Sequence, residues 1–399
     1  MKLFKSLLVA PATLGLLAPL SVTANEINLA DVSNYSSVRE VKSISEFNPA
    51  KEIAVTNGRV DGIEARLNDF EAGSFSDTTS ASFGVDFLIG SEDGTSTNQA
   101  VTAGYSWGMK TKTSFTGEDT LQVKFDAGNA DDGNLDEFDK HDKGDGIIVD
   151  GISYKFPIGD KTTVIIGDSI DGSTLYDTAC VYGGPSKTLS DCGSGSSPLG
   201  KGAGTALGVN YDIGSGFTAN FAYTGEGSTT DGLMTEEGLD AYGGQLAYST
   251  DSYGASVTYA TIDEAAVNSK SAETVYWALN GYWTPSESGL VPSISVGLEN
   301  GAVSDETGGA ADGSTTSRRD TNQWFVGIQW DEAGPGKLGA AVGSKGATVE
   351  DSEALQMYEV FYSYKMNDST TITPLIYVKE AASGSDDATG MMVKTTFKF

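Results

Sequence analysis

The sequence predicts an all-β transmembrane barrel of about 16 antiparallel strands, preceded by a short N-terminal helical or coiled-coil segment. Three observations carry this reading. The chain opens with an export signal and has no later apolar run long enough for a membrane helix; apolar and polar residues alternate over long stretches; and tight turns alternate with long polar loops.

The export signal is MKLFKSLLVAPATLGLLAPLSVTA, in which Lys2 and Lys5 precede a short apolar run broken by Pro11 and Pro19. It ends in Val22-Thr23-Ala24, so cleavage is expected after Ala24. No later stretch of about 18 consecutive apolar residues occurs, which excludes a spanning helix. The 399 residues include 50 Gly, 16 Phe and 17 Tyr, and 55 Asp plus Glu against 25 Lys plus Arg, for a net charge of -30. Such a charge argues against a nucleic-acid partner and against docking of a soluble protein on anionic lipid. A secreted β-protein or an outer-membrane barrel remains.

Periodicity is clearest in AVTAGYSWGMKTKTSF, where Val101, Ala103, Tyr105, Trp107, Met109 and Phe115 share one face and Gly104, Ser106, Gly108, Lys110, Lys112 and Ser114 the other. That run exceeds most soluble strands. The pattern recurs at Leu207, Val209 and Tyr211; at Phe217, Ala219, Phe221 and Tyr223; at Val275, Trp277, Leu279 and Trp283; and at Trp324, Val326, Ile328 and Trp330. In a sandwich this face would be core; in a barrel it faces lipid.

Taking each alternating run as a strand gives sixteen, near residues 80–89, 100–115, 119–126, 147–156, 161–168, 202–211, 216–224, 241–249, 252–260, 273–283, 290–299, 321–330, 336–343, 355–365, 370–379 and 389–399. They are joined alternately by short turns such as TGED, PIGD, DIGSG, TDS and MNDS and by long segments such as AGNADDGNLDEFDKHDKGDG. Short periplasmic turns and long external loops are the asymmetry of an outer-membrane barrel. The chain ends in GMMVKTTFKF: a last strand that closes the barrel at the periplasmic rim would end there, with Phe397 and Phe399 in the interfacial girdle. The same ending resembles the signal read by the barrel-insertion machinery.

Ahead of the barrel (78–399) lie a periplasmic linker (25–50) and a helical segment (51–72). In the latter Ile53, Val60 and Leu67 repeat every seven residues, with Ile63 and Phe70 at the second seam position. Three such heptads support a parallel coil. Thr56 at the seam, and Gly58 and Gly62 at about 1 kcal/mol each relative to Ala, leave a loosely helical linker as the alternative.

Several segments, VKSISEF, NGRVDGIEARLNDFEAGSFSDTT, TKTSFTGEDTLQVKFDAGN, YKFPIGDKTTVIIGDS and YDTACVYGGPSKTLSDCG, together with the leader and the terminal strand, resemble the porins of marine cyanobacteria, relatives of the carbohydrate-selective, OprB-like porins. The resemblance implies an outer-membrane diffusion channel for sugars, inorganic ions including iron species, or other small nutrients. Members carry a surface-layer-homology domain that anchors them to peptidoglycan. Only Asn25 to Phe47 precede the coil here, too short for that domain, so peptidoglycan anchorage is not expected. The porin pattern and the coil seam together imply a homotrimer in outer-membrane lipid.

Catalysis finds little support. The single histidine, His141, sits in the loop DEFDKHDKGDG without a buried partner, and neither Gly-x-Ser-x-Gly nor His-Glu-x-x-His occurs. An enzyme and a cofactor are therefore not expected. The acids Asp131, Asp132, Asp136, Glu137, Asp139, Asp142 and Asp145 crowd the same loop, but Glu137 stands where the EF-hand needs Gly, so the reading is a hydrated acidic loop with no specific metal site. Cys180 and Cys192, the only cysteines of an exported chain, read as a disulfide. They fall in the third long loop, which in sixteen-stranded porins folds inward and narrows the lumen; an outward-facing stapled loop is the alternative.

Sixteen strands leave a water-filled lumen. The expected function is passive diffusion of small hydrophilic solutes, with a non-conducting structural tether as the rival. The strand face opposite the apolar one carries Lys110, Lys112, Lys124, Lys155, Lys394 and Lys398, expected to line the pore toward its periplasmic end. External acids, as in Asp131 to Asp145, Glu226 to Asp240 and Glu350 to Glu353, draw cations to the mouth, but charge at the narrow part should prevail over charge beyond a Debye length of about 8 Å. A weak anion preference follows, opposed if the third loop sets Asp171, Asp177 and Asp191 against the lysines.

Overall fold

The computed structural model describes residues 78–94, 99–130, 134–140, 144–197, 204–226, 232–235, 238–267, 270–287, 289–303 and 319–398. The leader, the linker, the helical segment with its seam residues, His141 and Phe399 lie outside these residues.

The strands are β1 (Thr79–Asp93), β2 (Thr102–Thr113), β3 (Thr120–Gly128), β4 (Gly144–Ile158), β5 (Thr162–Ile170), β6 (Gly204–Gly214), β7 (Phe217–Gly225), β8 (Asp240–Ser249), β9 (Tyr253–Val267), β10 (Lys270–Trp283), β11 (Ser293–Val303), β12 (Thr321–Ala333), β13 (Gly336–Ser344), β14 (Thr348–Val349), β15 (Gln356–Asn367), β16 (Thr370–Lys379) and β17 (Ala388–Lys398). Each pairs antiparallel with its neighbours, and β1 pairs with β17 from Gly84↔Lys398 to Asp93↔Thr389, closing the sheet. β13 pairs directly with β15, while β14 is a two-residue strand in the connection that pairs with Thr321 and Asn322 of β12. Seventeen strands less β14 leave sixteen in the wall.

The period-two pattern now has a physical cause. Outward residues are the apolar ones, Trp277 and Leu279 being 55% and 56% exposed, while Asn280 beside them points inward and is buried. Strand ends at the short turns carry an outward aromatic cluster: Phe115 and Tyr154 lie 6.3 Å apart, Tyr154 and Phe156 5.2 Å, and Phe217 and Tyr248 4.5 Å. Phe397, at the end of the last strand, lies 6.1 Å from Phe87 of the first. The β2–β3 turn is held by Asp119, whose carboxylate accepts from the Tyr154 hydroxyl (2.6 Å), the Ser114 hydroxyl and the amides of Phe115 and Thr116. Those hydrogen bonds, the Tyr154 one foremost, hold its carboxyl well below the usual carboxylate range. The β6–β7 turn runs through Gly214, Ser215 and Gly216, all at positive φ, which the two glycines adopt without strain.

Inward side chains are not uniformly polar. Leu88, Phe325, Met357, Phe361, Leu375, Tyr377 and Met392 point inward and form one buried cluster with loop residues. A barrel filled only with water would leave these wet. They are dry because two of the long connections fold inside.

Candidate functional site in the barrel lumen

The connection 171–203 between β5 and β6, described to residue 197, runs along the inner wall. A chain segment buried there must find partners for its backbone amides, since each one left unpaired costs ~1–3 kcal/mol. Successive strands supply them. Thr224 of β7 accepts from the Gly172 amide (3.0 Å), Gln245 of β8 from Asp177 (2.8 Å) and Ser256 of β9 from Ala179 (3.0 Å). Ser295 of β11 accepts from Val181 and Tyr182, and Gln329 of β12 from Gly183 (2.9 Å). On the return, Asn280 of β10 donates to the Cys192 carbonyl (3.1 Å) and Glu299 accepts from the Ser197 amide (2.7 Å). The approach is closest at Gly297, where a Cβ would stand 1.7 Å from the Cys192 oxygen. The loop therefore lies inward, and the outward alternative does not hold.

Cys180 and Cys192 form a disulfide, with Cα atoms 6.5 Å apart. It staples the loop where Tyr182 turns to the wall, its ring 5.2 Å from Phe325 and 5.8 Å from Phe361, its hydroxyl donating to Glu359 at 2.6 Å.

The connection 129–143 between β3 and β4, with 131–133 and 141–143 outside the described residues, also turns inward at 135–138, where Glu137 is buried, while Asp136 and Asp139 keep exposed side chains, as the hydrated acidic loop read from composition expects of them. Leu135, Glu137 and Phe138 are at most 2% exposed. Leu135 and Phe138, three residues apart, pack into the apolar cluster with Leu88 and Met392 and bring Glu137 between them inside, while Asp136 stays half exposed. Glu137 accepts from the Thr188 hydroxyl (2.9 Å) and from Lys379 of β16 (3.2 Å), and its carbonyl takes the Lys187 amide (2.7 Å). Lys379 also meets Glu92 of β1 at 2.9 Å, and Tyr377 donates to that carboxylate at 2.5 Å. Glu137 thus ties the second loop to the third through Thr188 and Lys187, and one buried ammonium between two carboxylates ties the second loop to the wall. Lower down, Lys140 pairs with Asp86 of β1 at 2.8 Å.

The lysines singled out from the sequence sit on inward positions near the short-turn end. Lys110 and Lys124 are register partners on β2 and β3, and Lys112 lies opposite Gln122. Lys155 is opposite Thr120, while Lys394 and Lys398 alternate inward on β17. Lys110 and Lys398 border a cavity of about 480 Å³ that also meets Asp86, Asp126 and Lys140. Lys394 and Lys398 border a second, of about 340 Å³, against Gly183, Gly184 and Pro185 of the third loop. Neither is lined by Asp171, Asp177 or Asp191. Asp171 caps its own turn through Ser173, and Asp177 accepts from Asn210 (2.9 Å) and Thr218 (2.6 Å). Asp191 accepts from the Gly193 amide, and burial, with the nearby Glu299 charge, pushes its carboxyl up to about 6. Among the described residues no three His, Cys, Asp or Glu side chains are grouped to hold a metal ion.

Sequence reasoning missed Lys337 of β13, which faces the second cavity and pairs with Asp331 at 3.1 Å, along with Lys140 and Lys379. Lys337 lies beside a tight turn, as Lys112 and Lys155 do, and that placement is a usable signal.

No family profile matches the chain. A segment of 114 residues, 28% of this chain, is 34% identical to the uncharacterized protein alr4550 of Nostoc sp., and the match spans 18% of that protein's length. Among solved structures the chain is similar to OprB of Pseudomonas putida (TM-score 0.58, 13% identity, 81% of this chain and 94% of that one). It is also similar to the anion-selective porin from Comamonas acidovorans (TM-score 0.57, 16% identity, 80% and 100%) and to OmpF of Salmonella typhi (0.55, 11%, 80% and 97%). Likeness at such identities speaks to fold, and the fold is that of the sixteen-stranded porin barrels.

Proposed function

We propose that the protein is a passive channel of an outer membrane, exported after cleavage at Ala24, that admits small hydrophilic solutes with a weak preference for anions. The observation that carries this reading is the pair of cavities beside the inward loops that Lys110, Lys394 and Lys398 border. Charge fixed at a constriction biases permeation by sign. Lys112, Lys124 and Lys155, on the same inward face of the barrel, extend that field. An anion-selective porin among the structures of similar fold is consistent with this sign. Sugars, inorganic ions and iron species are the solutes the sequence resemblance suggests, and a homotrimer joined through the Ile53, Val60 and Leu67 seam is the assembly it suggests.

The packed interior favours one rival, a wall protein that conducts nothing, because Leu135, Phe138, Tyr182 and Phe361 fill a large part of the cross-section. Purified protein in a planar bilayer separates the two: discrete conductance steps are expected, and a membrane that stays silent while the barrel is inserted would refute the channel.

A further inference from the structure

Resting on the anion reading above, we propose that the 340 Å³ cavity between the third loop and β13–β17 is a binding station for a small multivalent oxyanion of the phosphate or sulfate type. Three lysines, Lys337, Lys394 and Lys398, line it, and no carboxylate does. Lys337 spends one donor on Asp331. Neither Lys394 nor Lys398 makes an ion pair within the described residues; Lys394 instead lies 5.3 Å over the Phe138 ring. Glu359, which approaches Gly184 from the wall, is engaged by the Tyr182 hydroxyl and stays outside the lining.

The remaining polar groups fit oxygen better than a halide. Ser363, Thr371 and Thr373 present hydroxyls on β15 and β16 beside the two β17 lysines. Thr373 and Ser363 meet at 3.3 Å, long for a hydroxyl pair and readily exchanged for a shared anion oxygen. On the loop side Gly183 and Gly184 offer no side chain, and a Cβ at Gly183 would stand 4.0 Å from the Lys337 ammonium. The Lys337 ammonium thus lies within contact distance of the loop at Gly183, beside the Gln329 side-chain oxygen. Three neighbouring cations repel one another at reduced dielectric, and a divalent anion relieves more of that repulsion than chloride does. Charge-assisted hydrogen bonds from ammonium and neutral ones from hydroxyls then select an oxyanion over a spherical ion.

Chloride current through the full-length protein, measured at pH 7.5 with inorganic phosphate or sulfate added at rising concentration, tests this. Saturating block is expected, with nitrate at equal concentration without effect. Lys394→Gln or Lys398→Gln should raise the half-blocking concentration about tenfold, the loss of one charge-assisted bond. Thr373→Val should raise it about threefold and leave the reversal potential in a KCl gradient unchanged. A wild-type channel that prefers anions yet is blocked no better by phosphate than by nitrate overturns the station alone. A wild-type channel that prefers cations overturns both the anion reading and the station. Block that survives both lysine variants refutes the assignment to this cavity.

Discussion

At the long-loop end of the lumen the inward carboxylates Glu92, Glu137, Glu299 and Glu359 are all buried, and each has a donor: Tyr377 and Lys379, Thr188 and Lys379, Ser197 and Gln323, and Tyr182 respectively. At the short-turn end the inward lysines Lys110, Lys112, Lys155 and Lys398 are exposed and make no ion pair within the described residues. The chain carries more than twice as many acids as bases, yet the acids nearest the inner loops are consumed in holding those loops. Net charge therefore misleads about the lumen: buried partnered groups build the constriction, and the free ones are left to meet solute.

The comparison is broken most severely at Lys379. Lys379→Ala leaves Glu92 and Glu137 facing each other without a cation, and removing one partner of a buried ion pair costs ~3–5 kcal/mol. Docking of the second loop should fail, seen as rapid proteolytic cutting of that loop and noisy, enlarged conductance, with the third loop still protected by its own wall contacts and the barrel still heat-modifiable on gels. Reducing the disulfide, or Cys192→Ser, comes next. A closure of 12 residues is worth ~3 kcal/mol in the chain-entropy account, so the third loop should become cleavable near Cys180 while the second stays protected.

Gly297→Ala tests the wall rather than the loop. A methyl there meets the Cys192 carbonyl, and overpacking of this kind costs ~1–3 kcal/mol. The expected result is a shifted but still docked loop, read as a modest change in single-channel conductance.

How much of this was written in the sequence depends on which contacts are local. The wall was legible because alternation and turns are properties of neighbouring residues: all sixteen strands were found, and the largest end errors are at the long-loop side, where β9 runs on to Val267 and β1 to Asp93. The inward course of the loops was not legible from periodicity. Gln245, Ser295 and Gln329 look like any other lumen residues until Asp177, Tyr182 and Gly183 reach them from 68, 113 and 146 positions away. A trace was present all the same. Doubled apolar runs such as Trp324-Phe325-Val326, Leu375-Ile376-Tyr377 and Met391-Met392-Val393 break the alternation where the inner face is packed by a loop, and Leu135 with Phe138 supply the matching surface.

The smallest expected effect is at Asp191. Its folded pKa of about 6 lies above the roughly 3.9 of an unfolded Asp, so the docked loop binds a proton that the released loop gives up. Docking should be strongest at low pH, weaken as pH rises from about 4 to about 6, and stay level above that. Third-loop proteolysis slower at pH 5 than at pH 7, with the difference abolished by Asp191→Asn, is the expected result.

The contrast between held acids and free lysines is tested most directly by the reversal potential of single channels in a KCl gradient, wild type against Lys110→Glu with Lys124→Glu. The account predicts an anion preference in the wild type that turns to a cation preference in the double variant, since both side chains share one face across β2 and β3. A cation preference in the wild type that the substitutions leave unchanged would contradict it.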